Sequence, residues 1–252
     1  MSTPFLPRRL DPAARSALLR RIIDRVREQS RTSPAVVVFD LDGTLMDNRP
    51  RVVAILHELA EHWYARHPDA AACCARATDD DIGYGFVENL RRLGVQGTAL
   101  HEEGFAFWKQ RFFNDPHVRH DVEVKGARAF AHAVHEAGAV VVYLTGRDLP
   151  NMALGSFASL RDRGFPIGVI GTELVVKPRF ETPDHVFKRS VAPDLSRLGK
   201  VIASFDNEPM NVNIFLEAHP GSIGVFLDTQ YAPNPPDLDA LAEVIHTFEM
   251  DP

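Results

Sequence analysis

Five short, apolar, β-branched runs are spread along the 252-residue chain. The first leads VVVFDLDGTL (36–45); the others are AVVVYLT (139–145), IGVIG (167–171), VIASF (201–205) and IGVFL (223–227). Such runs predict strands buried on both faces. Helical patterns lie between them at 124–137, 150–163, 186–198 and 209–218, and a final helix is expected after the proline-rich loop YAPNPPD (231–237). Alternating strands and helices predict an α/β fold, a parallel sheet with helices on both faces. The spacing breaks once, where roughly a hundred residues separate the first strand from the second. That stretch reads as helical from 47 to 118, with DPHV (115–118) as a loop near its end. It predicts a small all-helical cap, 47–118, inserted into a core formed by 35–46 and 119–252.

Residues 1–34 predict an N-terminal amphipathic helical extension. Leu18, Leu19, Ile22, Ile23 and Val26 share one stripe and arginines occupy the other face. Interspersed acids favour packing on its own domain over a membrane surface. Residues 1–31 hold eight arginines against Asp11, Asp24 and Glu28, a local +5 that leaves −11 for the remainder of a chain of net charge −6. A body so acidic argues against general nucleic acid binding. No apolar run approaches a membrane span, no secretory leader is evident, and the two cysteines are adjacent at 73 and 74. These features predict a cytoplasmic protein with no membrane partner.

Asp40 closes the first strand and Asp42 follows two positions later. Isolated carboxylates are costly to bury, so the pair implies a counterpart. Ligands gather beyond the carboxyl ends of parallel strands, and Thr145 and Asp206 end two of the other runs. Carboxylates meeting there suggest a hard cation such as Mg²⁺. Gly43 allows a sharp turn that would present backbone N–H groups to phosphate oxygens.

FDLDGTL resembles the first signature of the haloacid dehalogenase-like superfamily, mostly Mg²⁺-dependent phosphatases. VVVYLTGR is similar to the second, with Thr145; VFKRS to the third, with Lys188; and IASFDNEP to the fourth, with Asp206. The resemblance covers 36–46 and about 120–228. It implies a Rossmann-like core, with Asp40 as nucleophile forming an aspartyl-phosphate and Asp42 as proton donor and then base. Thr145 and Lys188 would hold the phosphoryl oxygens, with Gly146 and Arg147 beside them at the substrate. Asp40, the Asp42 carbonyl and Asp206 would hold Mg²⁺. An acid two residues after the nucleophile also favours phosphoryl transfer over dehalogenation, since a halide needs no proton.

The match loosens after Asp206. Glu208 is the acid available to support the metal, with Asn207 and Asn211 as rivals. Lys177 competes with Lys188, but it lies farther from Asp206 and in a strand-like run. Arg147 and Asp148 suit a helix start as well as a substrate contact. Trp108, Phe105, Phe107 and Phe112 read as the cap's own core. The eleven histidines show no paired metal-binding spacing. The expected activity is a phosphohydrolase acting on a small phosphorylated metabolite. A phosphomutase of the same superfamily, or a binding or regulatory protein that keeps the fold, are the alternatives.

Overall fold

A computed structural model of the chain describes residues 7–251. Helix α1 (Pro12–Gln29) starts where the Asp11 carboxylate accepts the Ala14 N–H at 2.8 Å. A side-chain acceptor there satisfies one of the open N–H groups of the first turn. Its five stripe residues are buried in the main core, so α1 is a layer of that core rather than an extension. Arg15 donates to the Glu249 carbonyl at 2.8 Å, and Arg21 pairs with Glu243 at 2.9 Å. Residues 1–6 of the expected extension lie outside the described residues.

Strand β1 (Ala35–Phe39) is wholly buried and runs into Asp40. The chain then leaves the sheet through β2 (Met46–Asp47) and a helical insert. The insert contains α2 (Arg49–Trp63), α3 (Pro68–Ala75), α4 (Phe86–Leu93), α5 (Thr98–Phe112) and α6 (Asp115–Val118). DPHV, expected as a loop, is the single turn α6, with proline in its first turn where no N–H is needed. The insert encloses its own apolar cluster around Leu56, Leu59, Trp63 and Leu90. It returns through β3 (Val122–Glu123), antiparallel to β2, so both crossings between insert and core run side by side.

The core continues with α7 (Ala127–Glu136), β4 (Ala139–Asp148), α8 (Leu149–Asp162), β5 (Thr172–Lys177), α9 (Asp184–Val191), β6 (Lys200–Asp206), α10 (Pro209–Ala218), β7 (Ile223–Leu227) and β8 (Glu243–Ile245). Among the described residues six strands form one sheet, in the order β5-β4-β1-β6-β7-β8, with every pair parallel. α1 and α7 cover one face, while Phe187 of α9 with Ile214 and Phe215 of α10 lie on the other. On the first face Phe39 stacks on Phe205 at 4.9 Å, and Phe130 stacks on Phe248 at 5.6 Å.

Two expected elements move. The strand expected at 167–171 is β5 instead, five residues on. Gly168 and Gly171 have φ of +71° and +81°, which breaks an extended run, and Ile170 is exposed. The expected final helix is β8, where Val244 and Ile245 pair with β7. β-branched side chains favour that pleated surface. The Leu10 N–H also donates to the Val244 carbonyl at 2.9 Å, which ties the segment before α1 to the sheet edge. No helix among the described residues is long and apolar enough to cross a membrane.

Because α1 belongs to the core, Ile22→Ala should lower unfolding free energy by about 2–5 kcal/mol, the cost of truncating a buried aliphatic chain. Urea denaturation measures this, and a loss under about 0.5 kcal/mol would mean the helix is only appended.

Candidate active site

Strand order reverses at β1: the chain passes to β4 and β5 on one side, then returns to β6 on the other. A crevice at that point is where ligands collect in such sheets. Phe39 lies level with Tyr143 and Phe205, and the Asp40 N–H still donates to the Phe205 carbonyl at 2.9 Å. Asp40 therefore emerges beside Asp206, the last residue of β6. Thr145 sits on β4 where the register slips between Thr145 and Asp148. Asp40, Thr145, Gly146 and Lys188 line a cavity of about 300 Å³.

Lys188 brings the carboxylates together. Its Nζ lies 2.8 Å from Asp40 Oδ1, 2.8 Å from Asp206 Oδ2 and 3.2 Å from Asp184 Oδ2. Burial alone would lower its pKa, but Asp184, Asp206 and Asp40 outweigh that and hold the ammonium charged. Burial raises both Asp40 and Asp206, and Lys188 opposes this only in part. Lys177 is elsewhere, bonded to the Phe180 carbonyl at 2.9 Å.

Asp184, which follows no apolar run, stands four residues before Lys188, a spacing that places both on one helix face. A Cβ at Gly146 would displace the Asp184 carboxylate from its place beside Lys188. Asn211 donates to Asp184 Oδ2 at 2.9 Å and to Asp206 Oδ1 at 3.1 Å. Among the side chains that follow Asp206 it is Asn211 that bonds it, while Glu208, the acid expected to assist the metal, lines the same cavity. Glu208 gives Asp206 only its backbone N–H, at 2.9 Å; its carboxylate instead accepts the Ala232 N–H at 2.9 Å. Burial pushes that carboxyl up to about 7. Asn207 bonds the Gln230 carbonyl and Thr44.

Three carboxylates share one ammonium here, and Asp184 Oδ1 and Asn211 Oδ1 are buried oxygens without a partner among the described residues. The surplus negative charge and the open oxygens fit a hard divalent cation. No group of three or more His, Cys, Asp or Glu side chains among the described residues forms a ready cage. Mg²⁺ needs none, since it takes one or two carboxylates and keeps several waters.

The turn after Asp42 is narrower in use than expected. Gly43 takes φ +78°, as a tight turn requires, but its N–H donates to Met46 O at 2.7 Å. Thr44, Leu45 and Met46 all donate to Leu41 O. Only the N–H groups of Leu41 and Asp42 have no protein acceptor among the described residues, which leaves that pair for an anion.

Asp42 belongs to a second charge cluster. Arg147 Nε donates to its Oδ2 at 2.7 Å, and Arg51 Nη2 to its Oδ1 at 2.7 Å. Both arginines also hold Asp121: Arg51 Nε at 2.7 Å and Arg147 Nη2 at 2.7 Å. Arg51, Asp121 and Arg147 are buried and Asp42 is partly exposed at the cavity, so two cations balance two anions. Burial would raise Asp42, but Arg147 and then Arg51 hold its carboxyl well below the usual range. Arg147 also donates to Ser156 at 3.2 Å, so its guanidinium lines the cavity while bonded to three protein side chains. Asp148 caps α8 by accepting the Asn151 N–H at 3.1 Å. Arg51 and Asp121 carried no sequence signal: 70 residues apart, each looks like an ordinary surface charge.

The aromatic residues divide. Phe105 is exposed, and Phe107 packs in the insert under Arg111. Trp108 and Phe112 pack on the insert's core and also line the cavity.

The sequence model of the family described as "Hydrolase: haloacid dehalogenase-like hydrolase" matches residues 34–175. No curated protein matches the chain. Among solved structures, a "Putative Phosphatase" from Clostridium difficile superposes with a TM-score of 0.56 at 14% identity, over 84% of this chain and 94% of that one. A "HAD-superfamily hydrolase, subfamily IA, variant 1" from Geobacter sulfurreducens PCA gives 0.52 at 15% identity, over 85% and 92%. A "predicted phosphoglycolate phosphatase" from Haemophilus somnus 129PT gives 0.50 at 12% identity, over 84% and 94%. These structures share the fold, and the family match spans more than half of the sequence. The chain belongs to the haloacid dehalogenase-like hydrolases.

Proposed function

We propose that the chain hydrolyses phosphate monoesters of small organic molecules with Mg²⁺ bound beside Asp40. The observation carrying this is Asp40 itself, a buried carboxylate at the end of the central strand that faces the cavity and is fixed by Lys188. An Asp40 oxygen attacks phosphorus, the bond from phosphorus to the ester oxygen breaks, and the phosphoryl group stays on Asp40. Water then attacks that phosphorus, the bond to Asp40 breaks, and inorganic phosphate leaves. Lys188, Thr145 and the N–H groups of Leu41 and Asp42 receive the phosphoryl oxygens. Mg²⁺ held by Asp40, Asp206 and the Asp42 carbonyl would offset the repulsion between these carboxylates and an anionic substrate. Asp184 and Asn211 support that position through their bonds to Lys188 and Asp206.

Asp42 gives a proton to the leaving oxygen and takes one from the attacking water. To do so it must leave the hold of Arg51 and Arg147. Arg51 rides on α2, the first helix of the insert, and Asp121 sits on the segment returning from it. A shift of the insert against the core therefore re-divides the two arginines between two carboxylates.

Asp40→Asn should abolish phosphate release from a panel of sugar, nucleotide and simple organic phosphates while leaving the circular dichroism spectrum intact; release at the original rate would mean another nucleophile. Asp42→Asn keeps the shape but cannot carry a proton, and should lower kcat by about 10²–10⁴-fold. Removing divalent cations with a chelator should stop release and added Mg²⁺ should restore it; activity indifferent to both would exclude the metal. Isomerised sugar phosphate appearing without free phosphate would point to a mutase.

A further inference from the structure

The cavity beside Asp40 measures about 300 Å³, at the small end for ligand sites. Its two ends differ in chemistry. Asp40, Lys188 and Thr145 make the sheet end, which the phosphoryl group would occupy. The insert makes the other end from rings: Phe86 and Trp108 stack with centroids 5.3 Å apart and 17° between planes, and Phe112 meets Trp108 at 4.9 Å.

The three amide side chains at the insert end are largely committed to the protein, while the buried Trp108 Nε1–H has no partner among the described residues. Asn89 accepts the Gly83 N–H at 2.8 Å and donates to the Gly83 carbonyl at 3.1 Å. Gln230 Nε2 donates to the Ile82 carbonyl at 2.7 Å, and Asn48 Nδ2 donates to Asp42. A polyhydroxylated ligand would find few partners among them. The Tyr84 hydroxyl, on a half-exposed ring, has no protein partner among the described residues.

The lining holds two cations, Lys188 and Arg147, and both are bound to carboxylates. A second anionic group on the substrate would therefore meet no open cation, and would face Asp184 and Glu208 instead. Burying an uncompensated anion is strongly unfavourable, whereas a flat ring gains from both area and stacking.

Resting on the phosphohydrolase reading above, we infer that the substrate is a phosphate monoester whose organic part is uncharged and carries one flat apolar ring. Phosphorylated carboxylic acids, bisphosphates and free sugars are disfavoured by the same lining. The ring lies against Trp108, and a single polar substituent has the Tyr84 hydroxyl for a partner.

Benzyl phosphate, phosphoglycolate and glucose 6-phosphate all release an alkyl-type oxygen, so their comparison reports on the organic part. The wild-type chain with Mg²⁺ should favour benzyl phosphate in kcat/KM by about tenfold or more. Benzylphosphonate should likewise bind about tenfold tighter than phosphonoacetate, read by tryptophan fluorescence and needing no turnover. Trp108→Ala should narrow both gaps; the wild-type comparisons stand even if that variant does not fold. Equal or better use of phosphoglycolate or glucose 6-phosphate, or equal binding of the two phosphonates, overturns the inference and leaves the phosphohydrolase reading in place. If none of the three esters is hydrolysed, it is the phosphohydrolase reading that falls, and the phosphonate comparison alone decides the inference.

Discussion

One ammonium group serves three carboxylates at the carboxyl end of the sheet, and much else in the molecule arranges that meeting. Asp40 and Asp206 reach it because β1 and β6 are adjacent and in register. Lys188 and Asp184 reach it because α9 opens with the acid and carries the lysine one turn later. Gly146 leaves the space that the Asp184 carboxylate occupies. Local charge is left unbalanced, with both buried strand acids raised in pKa. A site left negative is poorly suited to a phosphate on its own and well suited to one accompanied by a dication.

The neighbouring cluster is built on the opposite plan. Asp42, Asp121, Arg51 and Arg147 cancel, and each guanidinium bridges both carboxylates. Buried pairs of this kind add little stability over apolar packing, but they impose a definite geometry when every donor has an acceptor. Here the geometry joins the first signature loop, the second strand's bulge and both ends of the insert. Two aspartates separated by one residue thus lie in opposite electrostatic surroundings: Asp40 is pushed up and Asp42 down.

The sequence made the core strands and helices legible because their periodicity is local. The run at 223–227 and the helix at 209–218 fall where the pattern placed them. The misplaced strand at 167–171 shows the limit, since apolar content agreed with a strand while two left-handed glycines did not. In the candidate site, Asp40, Asp42, Thr145 and Asp206 stood out because each closes or follows an apolar run, whereas Lys188 came only from the family resemblance. Asp184 had a usable signal in its spacing from Lys188. Arg51 and Asp121 had none, because their pairing depends on how the insert docks, which is purely tertiary. The bond from Asn211 to Asp206 was hidden for a related reason: the helix beginning at Pro209 turns the asparagine toward Asp206, while the Glu208 carboxylate accepts a loop N–H.

The docking of α1 has a consequence for how the chain assembles. Arg15 grips the Glu249 carbonyl, Ser16 exchanges hydrogen bonds with Asp251, and Leu10 pairs with Val244. These contacts join positions more than 230 residues apart in the chain. During synthesis α1 emerges well before those partners, which are complete only once the ribosome has passed residue 251. Its apolar stripe packs on β1, α7 and β6, so it waits until β6 has been made, and the polar contacts to residues 244–251 close the fold last.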